Sequence, residues 1–209
     1  PPDQPTLKQL YIMSADGGRP ERLTHHDSDH WSPAWSPDGR KIAFERREGG
    51  TSHIYVINAD GSSEVRLTPD MPEAHDHSPT WSPDGARIAF QKGNGIWVMG
   101  ADGRNRALLT EHEPLRDWPA GGTWDSLPRW SPTGAQVAFI RRRGGDVFVS
   151  EIWVMDADGT EERAVAEENV YGLGGIAWSP DGRQIVFCAD GLDVVSVEGI
   201  SRKRLTEPP

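Results

Sequence analysis

Histidine and carboxylate side chains crowd two short segments, His25-His26-Asp27-Ser28-Asp29-His30 and Glu73-Ala74-His75-Asp76-His77. Imidazole nitrogen and carboxylate oxygen together suit a transition cation such as Zn²⁺ or Mn²⁺, and equally suit a polar grip on a partner. His30, His75 and His77 are the candidate cation ligands. Asp76 and Asp125 each stand three residues before a proline, Pro79 and Pro128, and His30 holds that place before Pro33. The same side chains could instead cap the backbone of the strand that follows. No His-Glu-x-x-His or Cys-x-x-Cys spacing is present, so a divalent cation stays an open expectation and no other cofactor is implied.

Three further groups stand out. Trp118 and Trp124 lie in a long connection, Glu111 to Asp125, and Trp31 follows the first histidine cluster. Loop tryptophans make strong contacts to protein or carbohydrate, unless they fold back and pack locally. Arg141-Arg142-Arg143, with Arg46-Arg47 earlier, forms a basic spot that could receive carboxylates of a partner, or simply be solvated loop tips. Cys188 reads as a tolerated semi-buried thiol. No Gly-x-Ser-x-Gly elbow, phosphate-binding loop or dinucleotide fingerprint occurs, so no residue is assigned a catalytic role.

A repeat positions these residues. Trp-Ser-Pro recurs at 35–37, 81–83, 130–132 and 178–180, and Ala-Asp-Gly at 15–17, 59–61, 101–103 and 157–159. One unit reads as four strands: Ser78–Ser82, a Pro-Asp-Gly turn, Arg87–Gln91, Gly95–Met99, an Ala-Asp-Gly turn and Arg106–Thr110. Four antiparallel strands every 45–50 residues predict an all-β fold, a β-propeller of four-stranded blades. No segment sustains the 3.6-residue apolar period of a helix, which excludes a parallel α/β fold. Full blades are expected at 31–68, 78–110, 127–166 and 176–206, and residues 7–24 supply only the third and fourth strands of another. Closing such a ring calls for one more hairpin, from further chain at either end or from another chain. Trp35, Trp81, Trp130 and Trp178 are expected between blades, as are Phe44, Phe90, Phe139 and Phe187.

Comparing the repeats with one another separates two faces. From the repeat Trp to the first residue of the second strand is 7 residues in every unit, and from third to fourth strand is 13. Second-to-third connections span 5 to 13 residues, and fourth-to-first connections 11 to 20. In an up-and-down blade the fixed turns gather at one end and the variable ones at the other. Variable loops on a rigid scaffold are where binding sits. All seven histidines, with Trp31, Trp118 and Trp124, are expected on that variable face.

The run Asp76-His77-Ser78-Pro79-Thr80-Trp81-Ser82-Pro83-Asp84-Gly85, then Ile88-Ala89-Phe90, then Ile96-Trp97-Val98-Met99 with Ala101-Asp102-Gly103, resembles the PD40 (TolB-like, WD40-like) propeller repeat. The resemblance recurs four times. It departs at Pro132-Thr133-Gly134, where the turn loses its Asp, and at Gly174-Gly175-Ile176-Ala177-Trp178, which lacks the Asp-x-x-Pro entry. It implies a bacterial, exported, periplasmic setting and a non-catalytic module that binds a protein or peptide. It also leaves two alternatives: a metal-dependent oligogalacturonate-type lyase, whose histidines hold the metal on the channel face, and the gating propeller of a prolyl-oligopeptidase-like enzyme.

Composition bounds the rest. The 209 residues carry 32 Asp and Glu against 22 Lys and Arg, a net charge of −10 that repels nucleic-acid backbones. No apolar run approaches the roughly 20 residues that span a bilayer, and no signal-peptide pattern is seen at the start. A single cysteine excludes an internal disulfide.

Overall fold

The computed structural model describes residues 7–69, 75–112, 122–144, 149–168 and 175–206, and every regular element among them is a strand. β1 (Tyr11–Ile12) and β2 (Glu21–Arg22) form a two-stranded sheet. Four sheets follow, each of four antiparallel strands in chain order. They are β3 (Asp29–Trp35), β4 (Lys41–Glu48), β5 (Thr51–Asn58) and β6 (Val65–Arg66); β7 (Asp76–Trp81), β8 (Arg87–Lys92), β9 (Gly95–Gly100) and β10 (Ala107–Leu108); β11 (Gly122–Trp130), β12 (Gln136–Gly144), β13 (Val149–Asp156) and β14 (Arg163–Glu168); and β15 (Ile176–Trp178), β16 (Gln184–Cys188), β17 (Leu192–Ser196) and β18 (Arg202–Arg204). This is the expected set of propeller blades. The first strands β3, β7, β11 and β15 lie next to one another, so they form the inner wall.

Apolar alternation builds the core between blades rather than within one. Ala43, Ile54, Val56 and Leu67 of one blade pack against Trp81, Ile88, Phe90 and Met99 of the next. Ala89, Ile96 and Val98 then meet Trp130, Val137, Phe139 and Met155. Phe44, Phe90, Phe139 and Phe187 are all at most 1% exposed. Trp81 donates its indole N–H to the Ala34 carbonyl one blade back (3.2 Å), and Trp178 repeats this to Arg129 (2.9 Å). Trp35 departs from expectation. It is 50% exposed, because among the described residues β1 and β2 form a two-stranded sheet with no inner strand for it to pack on.

The fixed-turn face owes its constancy to local chemistry. Asp84 accepts from the Ser82 hydroxyl (2.5 Å) and the Ala86 amide (3.0 Å), while Ser82 Oγ accepts from the Arg87 amide (2.9 Å). Asp38 and Asp181 repeat the pattern with Ser36 and Ser179. Thr133 substitutes with longer bonds, 3.1 Å to Ser131 and 3.4 Å from the Ala135 amide. In the second turn, Gly103 has φ +78°, and a Cβ there would stand 2.9 Å from the Leu67 carbonyl oxygen of the preceding blade. At Gly61 the matching distance to Leu23 is 3.5 Å. Gly103→Ala is therefore expected to destabilise by about 1–3 kcal/mol and Gly61→Ala by about 1 kcal/mol. Urea unfolding of the two variants checks this. Equal losses would mean that the dihedral angle alone, and not the approach of blades, sets the requirement.

One recurrent feature has no glycine to announce it. The inner strands β3, β7 and β11 each carry a bulge, where register shifts between Trp31 and Ala34, His77 and Thr80, and Ser126 and Arg129. Ser32, Ser78 and Leu127 occupy it at φ 50°, 52° and 53°. Such bulges bend the strand and re-aim the side chains before it.

Candidate functional site

Ahead of each bulge the inner strand faces the second strand of its own blade through one repeated cross-strand couple. His30 lies opposite Arg46, Asp76 opposite Lys92, and Asp125 opposite Arg141. The three couples differ in how far charge is satisfied.

Asp125 is fully buried and grips Arg141 with both oxygens, at 2.9 Å each. His112, from the connection leading into β11, reaches the same carboxylate at 2.8 Å. Burial works against the ionised form of Asp125, but hydrogen bonds from Arg141, His112 and Thr110 outweigh it and hold the carboxyl below its usual range. Arg141 also meets Glu162 at 2.7 Å and stacks over the Trp153 ring at 4.1 Å. Burial opposes its charge too, yet Asp125 and Glu162 raise its pKa. Arg141, expected as part of a basic spot open to a partner, is thus 9% exposed and held by internal carboxylates. Arg142 points its guanidinium to the Ser126 hydroxyl and is half-buried in β12 rather than at a loop tip.

Asp76 is also fully buried. Lys92 reaches one oxygen at 3.1 Å, and the other lies 3.9 Å from the buried His53 ring with no hydrogen bond among the described residues. His77 sits beside it on β7, with Nδ1 2.9 Å from Glu45 of the preceding blade. The exposed His75 ring stacks on His77 with centroids 6.1 Å apart and planes within 7°.

His30 is 3% exposed; its Nδ1 lies 3.2 Å from the Lys8 carbonyl and its ring packs on Phe44. Burial lowers its pKa and favours neutral imidazole. Arg46 turns away from it towards Glu64 (2.8 Å) and Glu48. His30 therefore belongs to a different blade environment from the His75–His77 pair. Among the described residues no three His, Cys, Asp or Glu side chains gather as a cation site requires.

Trp31 is 39% exposed, with the Lys8 ammonium 3.2 Å from its ring centre. Trp31, His77 and Ser126 occupy one repeat position on three neighbouring inner strands, each directly before the bulge. Trp124, expected in a loop, lies inside β11 opposite Arg142 and is half-buried, because that strand begins at Gly122. Trp118 lies outside the described residues. His30, His53 and His77 are likewise in strands rather than connections. Cys188, expected semi-buried, is exposed at the end of β16.

The couples themselves escaped sequence reading. Their signal is a constant separation of 16 residues, His30 to Arg46, Asp76 to Lys92 and Asp125 to Arg141.

A family model described as the TolB beta propeller domain, PD40, matches residues 3–120. The Tol-Pal system protein TolB of Thioalkalivibrio sulfidiphilus is 38% identical over 58 residues, 28% of this chain and 13% of that protein. A solved structure from Agrobacterium tumefaciens assigned as a TolB superposes with a TM-score of 0.66 at 26% identity, over 83% of this chain and 62% of that one. An oligogalacturonate lyase in complex with manganese superposes at 0.69 with 15% identity, over 95% of this chain and 59% of that one, a likeness of fold alone. The aligned stretch spans no more than 20% of the curated relatives it matches.

Proposed function

The chain belongs to the TolB β-propeller (PD40) family, and from that premise we propose that it is a non-catalytic binding module for a protein or peptide. The partner sits on the variable-loop face at the channel mouth, in the exported, periplasmic setting that the resemblance implies.

The observation that carries this reading is the row of Trp31 and His77 at one repeat position, with the exposed His75 stacked beside it. An exposed tryptophan held on a rigid strand is the kind of side chain that dominates protein interfaces, and the two stacked imidazoles beside it add polar contacts. The opposite face offers mostly Ser and Asp groups already engaged with their own turns. The deep carboxylates Asp76 and Asp125 support the rim from beneath rather than meeting a partner.

Photo-crosslinking in periplasm tests the reading. A crosslinker at position 77 should yield a defined adduct, and one at Arg40 on the fixed-turn face should not. Trp31→Ala with His77→Ala should weaken the captured partner's affinity about tenfold or more. Equal adducts from both faces, or unchanged affinity in the double variant, would sink it. Cleavage of acidic polysaccharide by the purified chain would favour the lyase alternative instead.

A further inference from the structure

Below the rim, the inner strands β3, β7 and β11 border a half-open pocket of about 240 Å³. Ser32, Ser78, Thr80, Leu127 and Arg129 line it. Arg129 holds a repeat position that other blades give to small residues, Ala34, Thr80 and Ala177, so blade packing does not demand it.

Its guanidinium donates to the carbonyl of its own neighbour Pro128 at 2.8 Å. No carboxylate among the described residues forms an ion pair with it, whereas Arg141 and Arg143 of the same sheet both have one. Burial pushes its pKa down with nothing acting in the other direction. A guanidinium keeps its proton near neutral pH, so Arg129 presents a part-buried positive charge, without an internal carboxylate partner among the described residues, to the pocket. Ser32, Ser78 and Thr80 line the same pocket and bring hydroxyl groups to it, and no hydrogen bond of these hydroxyls is seen among the described residues. The bulge geometry at Ser32 and Ser78, with φ near +50°, sets them there.

We propose that this pocket is an anion site that takes a single carboxylate, gripped by the planar fork of Arg129 and finished by the Ser78 and Thr80 hydroxyls. One guanidinium with neutral hydroxyls balances one negative charge. A dianion such as phosphate would leave charge over, on a chain whose own net charge is −10. A free small carboxylate or the carboxyl end of a peptide would use the same contacts.

Calorimetric titration of the full chain with sodium acetate, at ionic strength held constant with sodium chloride, reads the site. A parallel arm uses acetyl-Gly-Gly as free acid and as amide. Saturable binding of acetate, or of the free-acid peptide but not its amide, is expected, with the first outcome naming a free ligand and the second a peptide end. Arg129→Gln should weaken binding at least about tenfold, and phosphate should bind more weakly than acetate. No saturable binding of either probe overturns the proposal, as does equal binding by Arg129→Gln or tighter binding of phosphate. Should Arg129→Gln fail to fold by circular dichroism, Ser78→Ala with Thr80→Val decides: reduced acetate binding supports the site, and unchanged binding overturns it.

Discussion

Replacing Asp125 with Asn should lower unfolding free energy by about 3–5 kcal/mol, among the largest losses available to a single polar substitution in this fold. The side chain keeps its shape but loses its charge, and one of the two oxygens that Arg141, His112 and Thr110 share becomes an NH₂ donor. The Arg141 guanidinium, 9% exposed, would be left in the interior with Glu162 as its remaining carboxylate. His112 would lose the contact that ties the connection before β11 to the inner wall. The pH dependence gives an independent signature. Asp125 is held below its usual range in the fold, so its contribution is full above the unfolded carboxylate pKa of about 4. It fades as pH falls from there through the lower folded value. Denaturant titrations should therefore show the gap between wild type and Asp125→Asn narrowing in acid. A loss below about 1 kcal/mol at pH 7, or a gap that does not narrow, would mean that the cluster contributes little beyond filling space.

Which features can be read from the chain follows from how local their causes are. Trp-Ser-Pro-Asp-Gly fixes its turn through bonds spanning two to five residues, so the turn is written where it occurs and the blades follow from its recurrence. The bulge is different. Ser32, Ser78 and Leu127 adopt left-handed backbone angles that their residue types disfavour, because the sheet around them leaves no alternative. The site suffered most from this. Arg141 and Asp125 each looked like an open group when read singly, yet they lie opposite one another and neutralise each other. Only pairing strands across the turn, by way of the 16-residue spacing, brings them together. Arg129 was hidden for the complementary reason: next to Trp130 it passes as an ordinary strand residue, and its isolation emerges only when β3 and β7 close around it.

The repeat tryptophans give a second large and internally controlled effect. Trp81→Ala should cost about 3–5 kcal/mol, while Trp35→Ala should cost about 1 kcal/mol or less, although both occupy the same place in Trp-Ser-Pro-Asp-Gly. Trp81 is 8% exposed, packs with Ile88, Phe90 and Met99 against the preceding blade, and donates to the Ala34 carbonyl. Trp35 is 50% exposed and has only the side of a two-stranded sheet beside it, with Leu10, Ile12, Met13 and Leu23 around a shared hollow. Its burial is therefore conditional on a neighbour. If an inner hairpin from more chain or from a partner docks along the open edge of β1, Trp35 should become as costly to remove as Trp81, and its fluorescence should shift to the blue. Unfolding curves for Trp35→Ala, with and without added flanking chain, measure this directly. Equal losses at the two positions in the 209-residue chain would show that Trp35 is already covered, and would refute the reading of that edge as open.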